Sequence, residues 1–228
     1  MPEPEAQSSS DKSDAIVDRL RSVPAPGRHK ETVEARRATI VDACIEELRE
    51  HGFHRMKVES VARRVGIDKR TLYDYIQRKE DLLLLVFRHY LPRILHSVRE
   101  ARDTQTEPSD QLAAMLRIHT RIVSANPHFV LFLYRELPYL VKEDQGPVLA
   151  MINDIHLEYS RTLAVLARNG AGLPSDDAEL NASSALVMID MIGLYGPHVS
   201  ERDPELIAEF ILHALLRGDG RTDSPASL

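Results

Sequence analysis

Cysteine is nearly absent from this 228-residue chain: Cys44 stands alone, so neither an internal disulfide framework nor a cysteine-based zinc site can be built. No uninterrupted run of 18 apolar residues occurs, which excludes a membrane-spanning helix and gives no reason to expect a membrane partner. The stretch from Met1 to Asp14 is acidic and polar and lacks the basic-then-apolar order of a secretory signal, so a cytoplasmic location is expected. HExxH, GxSxG, GxGxxG and phosphate-loop patterns are missing, as are the two Glu-x-x-His pairs of a di-iron bundle. No catalytic residue, metal ligand or cofactor is therefore assigned, and an enzyme is not expected. Positive charge is also in short supply. The chain has 29 Lys and Arg against 35 Asp and Glu, a net −6 at pH 7, which at first argues against a nucleic-acid partner.

The distribution of charge reverses that impression. Between Arg28 and Lys79 there are 13 Lys and Arg but only 9 Asp and Glu, a surplus of 4 positive charges, so the rest of the chain carries −10. Such asymmetry fits a cationic DNA-facing module on an acidic body, although on charge alone a chance fluctuation fits as well. With 43% apolar residues there is material for a substantial core.

What the chain does have is helical periodicity, and no alternation that reads as a strand. Residues 1–30 are polar or broken by Pro24 and Pro26, with a short amphipathic stretch at 14–23; they read as a disordered or weakly helical extension. A helix over about 32–51 is predicted by Val33, Ile40, Val41, Cys44, Ile45 and Leu48, with Gly52 ending it. Cys44 lies on this stripe and reads as a buried structural thiol. Val58, Val61, Ala62 and Val65 give a second helix at 58–65. Gly66-Ile67 makes a turn, and Asp68 caps a third helix at 69–76 anchored by Leu72 and Ile76. Two short helices joined by a glycine-containing turn describe a helix-turn-helix. A fourth helix should run from about Lys79 to 102, with a kink or break at Pro92. Further helices are expected at 109–125, 127–140, from Gly146-Pro147 to Gly170, 175–195 and 204–217, with a disordered tail at 218–228.

The face of the third helix opposite Leu72 and Ile76 shows Lys69, Arg70, Thr71, Tyr73 and Tyr75, side chains able to reach base edges and phosphates in a major groove. Ordinary half-buried packing is the other reading of the two tyrosines. The segment 61–83, VARRVGIDKRTLYDYIQRKEDLL, closely resembles the DNA-binding signature of the TetR/AcrR family of transcriptional regulators. The similar parts are Val61-Ala62, Gly66-Ile67-Asp68, the Thr71-Leu72-Tyr73-Asp74-Tyr75 run and Lys79-Glu80-Asp81-Leu82-Leu83. The resemblance implies that Thr71, Tyr73, Tyr75 and Lys79 touch DNA. It departs from the family at Lys57, where a capping Thr is usual; either the helix starts less firmly or Lys57 itself meets a phosphate. It departs again at Ile76, in place of an aromatic, and in the long N-terminal extension. The basic residues there and just beyond, Arg28, Lys30, Arg36 and Arg37, are either a minor-groove arm or a solvated run.

The expected fold is therefore all-α: a helix-turn-helix domain at 31–78 followed by a helical ligand-binding and dimerisation domain at 79–217. Helix 175–195 is apolar around nearly its whole circumference and helix 204–216 is apolar on more than one face, so a second copy is expected to cover what the chain cannot. The resembled family pairs its last two helices in this way. Leu186, Ile189, Gly193, Ile207, Phe210 and Ile211 are the candidates for that contact. For a pocket, Phe132, Arg135, Met151, Ile155, Tyr159, Met188 and Met191 are the candidate lining, although each also has an ordinary core or surface reading. The function expected is that of a homodimeric repressor released from a near-palindromic operator by a mostly apolar small molecule. The rivals are a helical-bundle enzyme and a DNA-binding protein without ligand control.

Overall fold

A computed structural model describes residues 30–195, 199 and 201–216, and the expectations for 1–29, for the stop at Gly196-Pro197 and for the tail beyond 217 fall outside the described residues. Among the described residues every regular element is helical. In chain order they are α1 (Lys30–Arg55), α2 (Val58–Val65), α3 (Lys69–Tyr73), α4 (Asp81–Asp103), α5 (Pro108–Ala125), α6 (Pro127–Glu136), a 3-10 turn (Leu137–Tyr139), α7 (Lys142–Arg168), α8 (Ala178–Leu194) and α9 (Pro204–Leu216).

Two compact units result. One holds the described residues up to Pro92 together with Leu131–Ile152; the other holds Arg93–Val130 and the described residues from Asn153 onward. In the first, α1 packs on α2 and α2 on α3. Their shared core is Ile40, Val41, Cys44, Leu48, Val61, Leu72 and Ile76, joined by the buried leucine run 82–85. Burial pushes the Cys44 thiol well above its ordinary pKa, and its sulfur lies 3.9 Å from the Met56 sulfur, so it is an inert core group. In the second unit α5 packs on both α8 and α9, and α8 packs on α9.

Several ends differ from the sequence reading. Gly52 does interrupt α1, with φ 68° and ψ 164°, a backbone that favours glycine. Helix α3 closes at Tyr73 instead of 76, because the Asp74 N–H turns back to the Thr71 carbonyl (3.2 Å) and the Tyr75 N–H to Leu72 (2.9 Å). Helix α4 runs on through Pro92 without the expected break; Pro92 is on its exposed side, while Leu91, Ile94 and Val98 are buried around it. Asp177, not Ser175, caps α8, accepting from the Glu179 and Leu180 N–H groups at 2.9 and 3.2 Å. Helix α7 begins at Lys142, well before Gly146-Pro147. The buried carboxylate of Asp144 in its first turn pairs with the guanidinium of Arg78, and the Gln145 amide donates to the Leu140 carbonyl at 2.8 Å.

Candidate nucleic-acid interface

The α2–turn–α3 segment is built by local chemistry. Gly66 adopts the left-handed conformation (φ 74°, ψ 32°), the Gly66 N–H donates to Arg63 O and the Ile67 N–H to Ala62 O, which closes α2 and turns the chain. Asp68 then caps α3: its carboxylate accepts from the Thr71 N–H at 2.8 Å and from the Thr71 hydroxyl at 3.1 Å. These bonds, the Thr71 backbone donor foremost, hold the Asp68 carboxyl below its usual range. Leu72 and Ile76 are fully buried, so the register of α3 is fixed and its other face is turned outward.

That outward face carries the expected groups in unequal states. Lys57, Lys69 and Arg70 are exposed, Tyr73 is 39% exposed, and Thr71 and Tyr75 are half-buried. Lys57 sits at the α2 cap with extended backbone and offers no side-chain cap. Lys69 pairs with Glu59 of α2 at 2.5 Å, and its ammonium lies 5.9 Å from the centre of the Tyr73 ring. Lys79 is held inward: its ammonium donates to the His54 carbonyl at 3.3 Å and rests 4.4 Å from the Phe53 ring centre.

The platform under this face is tied down by groups that periodicity does not flag. Arg64 of α2 donates to the buried Glu47 carboxylate at 2.6 Å and also pairs with Glu50, joining α2 to α1. Arg135 donates to the Leu48 carbonyl at 3.1 Å, and Tyr139 lies against Phe53 and His54, with ring centres 5.7 and 5.4 Å apart. Arg78–Asp144 completes this set. Glu59, Arg64 and Asp144 are the residues the sequence reading missed. The opposite charges of Glu59 and Lys69 on neighbouring helices were the available signal for the first; the Arg78–Asp144 pair spans 66 positions and had none.

The candidate pocket residues go to different places. Phe132 is buried under Arg135, whose guanidinium lies 5.7 Å from its ring centre, and Met151 is half-buried in the same unit. In the other unit Ile155 and Tyr159 are buried. The His119 ring lies 3.2 Å from the Tyr159 hydroxyl, which in turn donates to the Met115 carbonyl at 3.2 Å. Met188 and Met191 line an apolar groove of about 330 Å³ between α8 and α9, with Leu206, Ile207 and Phe210.

The candidate dimer residues lie in unequal surroundings within the single chain. Ile189 and Ile211 are buried by their own chain, and a side chain at Gly193 would strike the Pro127 carbonyl and come within 2.7 Å of Val130 Cβ. Leu186 and Ile207 are half-buried. Phe210 is 63% exposed, and Leu180, Val187, Leu194 and Leu206 are the other exposed large aliphatic residues of α8 and α9.

Residues 40–86 match the family model described as bacterial regulatory proteins, tetR family. The chain is 24% identical over 98 residues to the fatty acid metabolism regulator protein of Bacillus subtilis, a match that covers 43% of this chain and 50% of that one. It is 26% identical to the HTH-type transcriptional regulator BetI of Rhizobium meliloti over 83% of its own length and 95% of BetI. Among solved structures, AibR in complex with isovaleryl coenzyme A and operator DNA shares the fold with a TM-score of 0.70 at 19% identity, over 79% of this chain and 98% of that one.

Proposed function

The chain is a transcriptional regulator of the TetR family, and from that premise we propose that it acts as a homodimeric repressor whose operator is released by a mostly apolar small molecule. The observation that carries the reading is the α3 register: Leu72 and Ile76 are buried, and Lys69, Arg70, Thr71 and Tyr73 are left on the outer face, with Lys57 at the head of α2. A short helix held in this way presents donors to base edges while its cations meet phosphates. Thr71 and Tyr73 are the base-reading candidates; Lys57, Lys69 and Arg70 are the phosphate-contacting ones. Tyr75 and Lys79 complete the set, and Lys79 reaches a phosphate once it leaves the His54 carbonyl. In domain terms, residues 31–78 bind DNA, and residues 79–217 bind the effector and the second copy.

Two subunits are required by the partner as well as by the chain. A near-palindromic site places half-sites about 34–36 Å apart, and one recognition helix cannot span both. The uncovered apolar residues Val187, Leu194, Leu206 and Phe210 supply the surface for the second copy. For the effector, an acyl-coenzyme A thioester is the class we favour. AibR was crystallised with isovaleryl coenzyme A, and the Bacillus subtilis relative is named for fatty acid metabolism. Ile155 and Tyr159, buried within one unit, are the proposed apolar lining; Phe132, Arg135 and Met151 belong to the other unit, and the Met188–Met191 groove shares Leu206 and Phe210 with the surface proposed for the second copy.

A fluorescence titration tests this reading. A labelled duplex selected by the purified chain is first bound and then challenged with acyl-coenzyme A thioesters of increasing chain length. Release by at least one thioester at micromolar concentration, with free coenzyme A inert, is expected. Binding that no thioester relieves removes the effector class, and failure to select any duplex removes the function.

A further inference from the structure

The proposed DNA-binding surface contains an acidic side chain, in the first turn of α2. Glu59 lies on α2, half-exposed, and its carboxylate is 2.5 Å from the Lys69 ammonium at the start of α3. Lys69 in turn lies beside the Tyr73 ring. The pair thus fixes two side chains of the face assigned to base and phosphate contact. Each group also stabilises the other's charge: the hydrogen bond from Lys69 holds the Glu59 carboxyl below its usual range, and Glu59 raises the Lys69 ammonium above its own. Both groups therefore stay ionised near neutral pH, so a change of protonation does not part them. A competitor must, and the two groups need different ones. A phosphate can take Lys69. The Glu59 carboxylate then needs a donor; the major groove offers the exocyclic amino groups of cytosine and adenine, and cytosine's suits a carboxylate better because adenine's stands beside the N7 acceptor, which repels an anion.

We propose that Glu59 is a specificity-determining residue: it withholds Lys69 from the DNA backbone and releases it where a cytosine amino group can donate to the carboxylate in its place. This rests on the DNA-binding reading above. Non-specific DNA offers Lys69 a phosphate but leaves Glu59 an unpaired anion among phosphates, so the wrong sequence is penalised; the right sequence satisfies both groups. Discrimination comes from the cost at wrong sites as much as from a contact at the right one.

Both side chains are about half exposed, so neutral replacements leave the fold intact. The test compares the parent, Glu59→Gln, Lys69→Gln and the double variant, binding a mixture of random-sequence 25-base-pair duplexes across a salt series. Glu59→Gln should bind this mixture about tenfold more tightly at low salt, with the slope of log K against log salt steeper by about 0.9, one more neutralised phosphate. In the Lys69→Gln background the same change should raise affinity by less than about threefold, because no withheld cation remains to be freed. Selection from a randomised pool should give the parent a C·G pair in each half-site that Glu59→Gln no longer enriches. An unchanged affinity and motif for Glu59→Gln overturns the proposal, and so does an equal gain in both backgrounds, which would mean simple repulsion of DNA by Glu59. If the parent binds DNA and Glu59→Gln matches it, only this inference falls. If the parent binds no duplex at all, the inference falls together with the function.

Discussion

At the scale of single residues the chain separates groups that hold the structure from groups that face outward. His119 is the clearest of the former. It is buried, its ring nitrogen Nδ1 faces the Tyr159 hydroxyl, and that hydroxyl donates to Met115 O. One arrangement satisfies all three groups: neutral His119 donates from Nδ1 to Tyr159, which donates onward. Burial lowers the His119 pKa from 6.5 to about 4. The folded state therefore refuses a proton that the unfolded chain accepts. The stability His119 contributes is complete above pH 6.5 and is lost as the pH falls toward 4. Urea unfolding of the parent should show a loss of a few kcal/mol over that interval. His119→Gln should flatten that part of the profile, even if it is less stable at pH 7. A parent whose stability is constant from pH 7 to 5 would show that His119 is not kept neutral by its surroundings.

At the scale of elements, close approach and buried charge decide where helices begin and meet. Gly193 lets α8 lie directly against the start of α6, where the Pro127 carbonyl and Val130 leave no room for a methyl group. Gly193→Ala should therefore destabilise the fold by roughly 1–3 kcal/mol, although alanine is the better helix former. A thermal melt at or above the parent's would contradict the packing. Asp144 does a comparable task for the first turn of α7 by pairing with Arg78. Asp144→Asn should cost roughly 1–3 kcal/mol, moderated because the Arg78 side chain is 37% exposed and can turn to water. Chemical denaturation checks it, and an unchanged midpoint would make the pair incidental. The sequence was legible where a helix reports on itself. Val58 to Val65, the Gly66 turn, the Asp68 cap and the Leu72–Ile76 anchor all follow from residues within four positions of one another. It was not legible at Lys142. There the deciding contact comes from Arg78, and Gly146-Pro147 imitates a helix start. Nor was it fully legible at Pro92, which reads as a kink or a break and lies within one continuous helix flanked by buried apolar residues.

At the scale of the whole molecule, the question is which apolar surface is left for a second copy. The composition of α8 shows that it has two apolar faces, yet periodicity cannot say which one its own chain takes. The structure gives Ile189, Ile192 and Ile211 to the chain's own core and leaves Val187, Leu194, Leu206 and Phe210 outside. The two groups should therefore respond differently to charge. Phe210→Asp should yield a folded monomer by light scattering, with helicity retained by circular dichroism. Ile189→Asp should unfold or aggregate, because it buries an unpaired carboxylate. Phe210→Asp remaining dimeric at micromolar concentration would move the interface elsewhere.

DNA recognition by the outer face of α3 in a two-fold assembly is the claim on which the rest depends, and selection from a randomised duplex pool by the purified chain tests it most directly. Enrichment of an inverted repeat with half-site centres about 34–36 Å apart, or a multiple of one helical turn, is expected. Tyr73→Ala should weaken binding to that sequence at least tenfold, while Thr71→Ala should weaken binding and also blur the preferred bases. Selection of no sequence, or of the same sequence with equal strength by the parent and both variants, would contradict that claim.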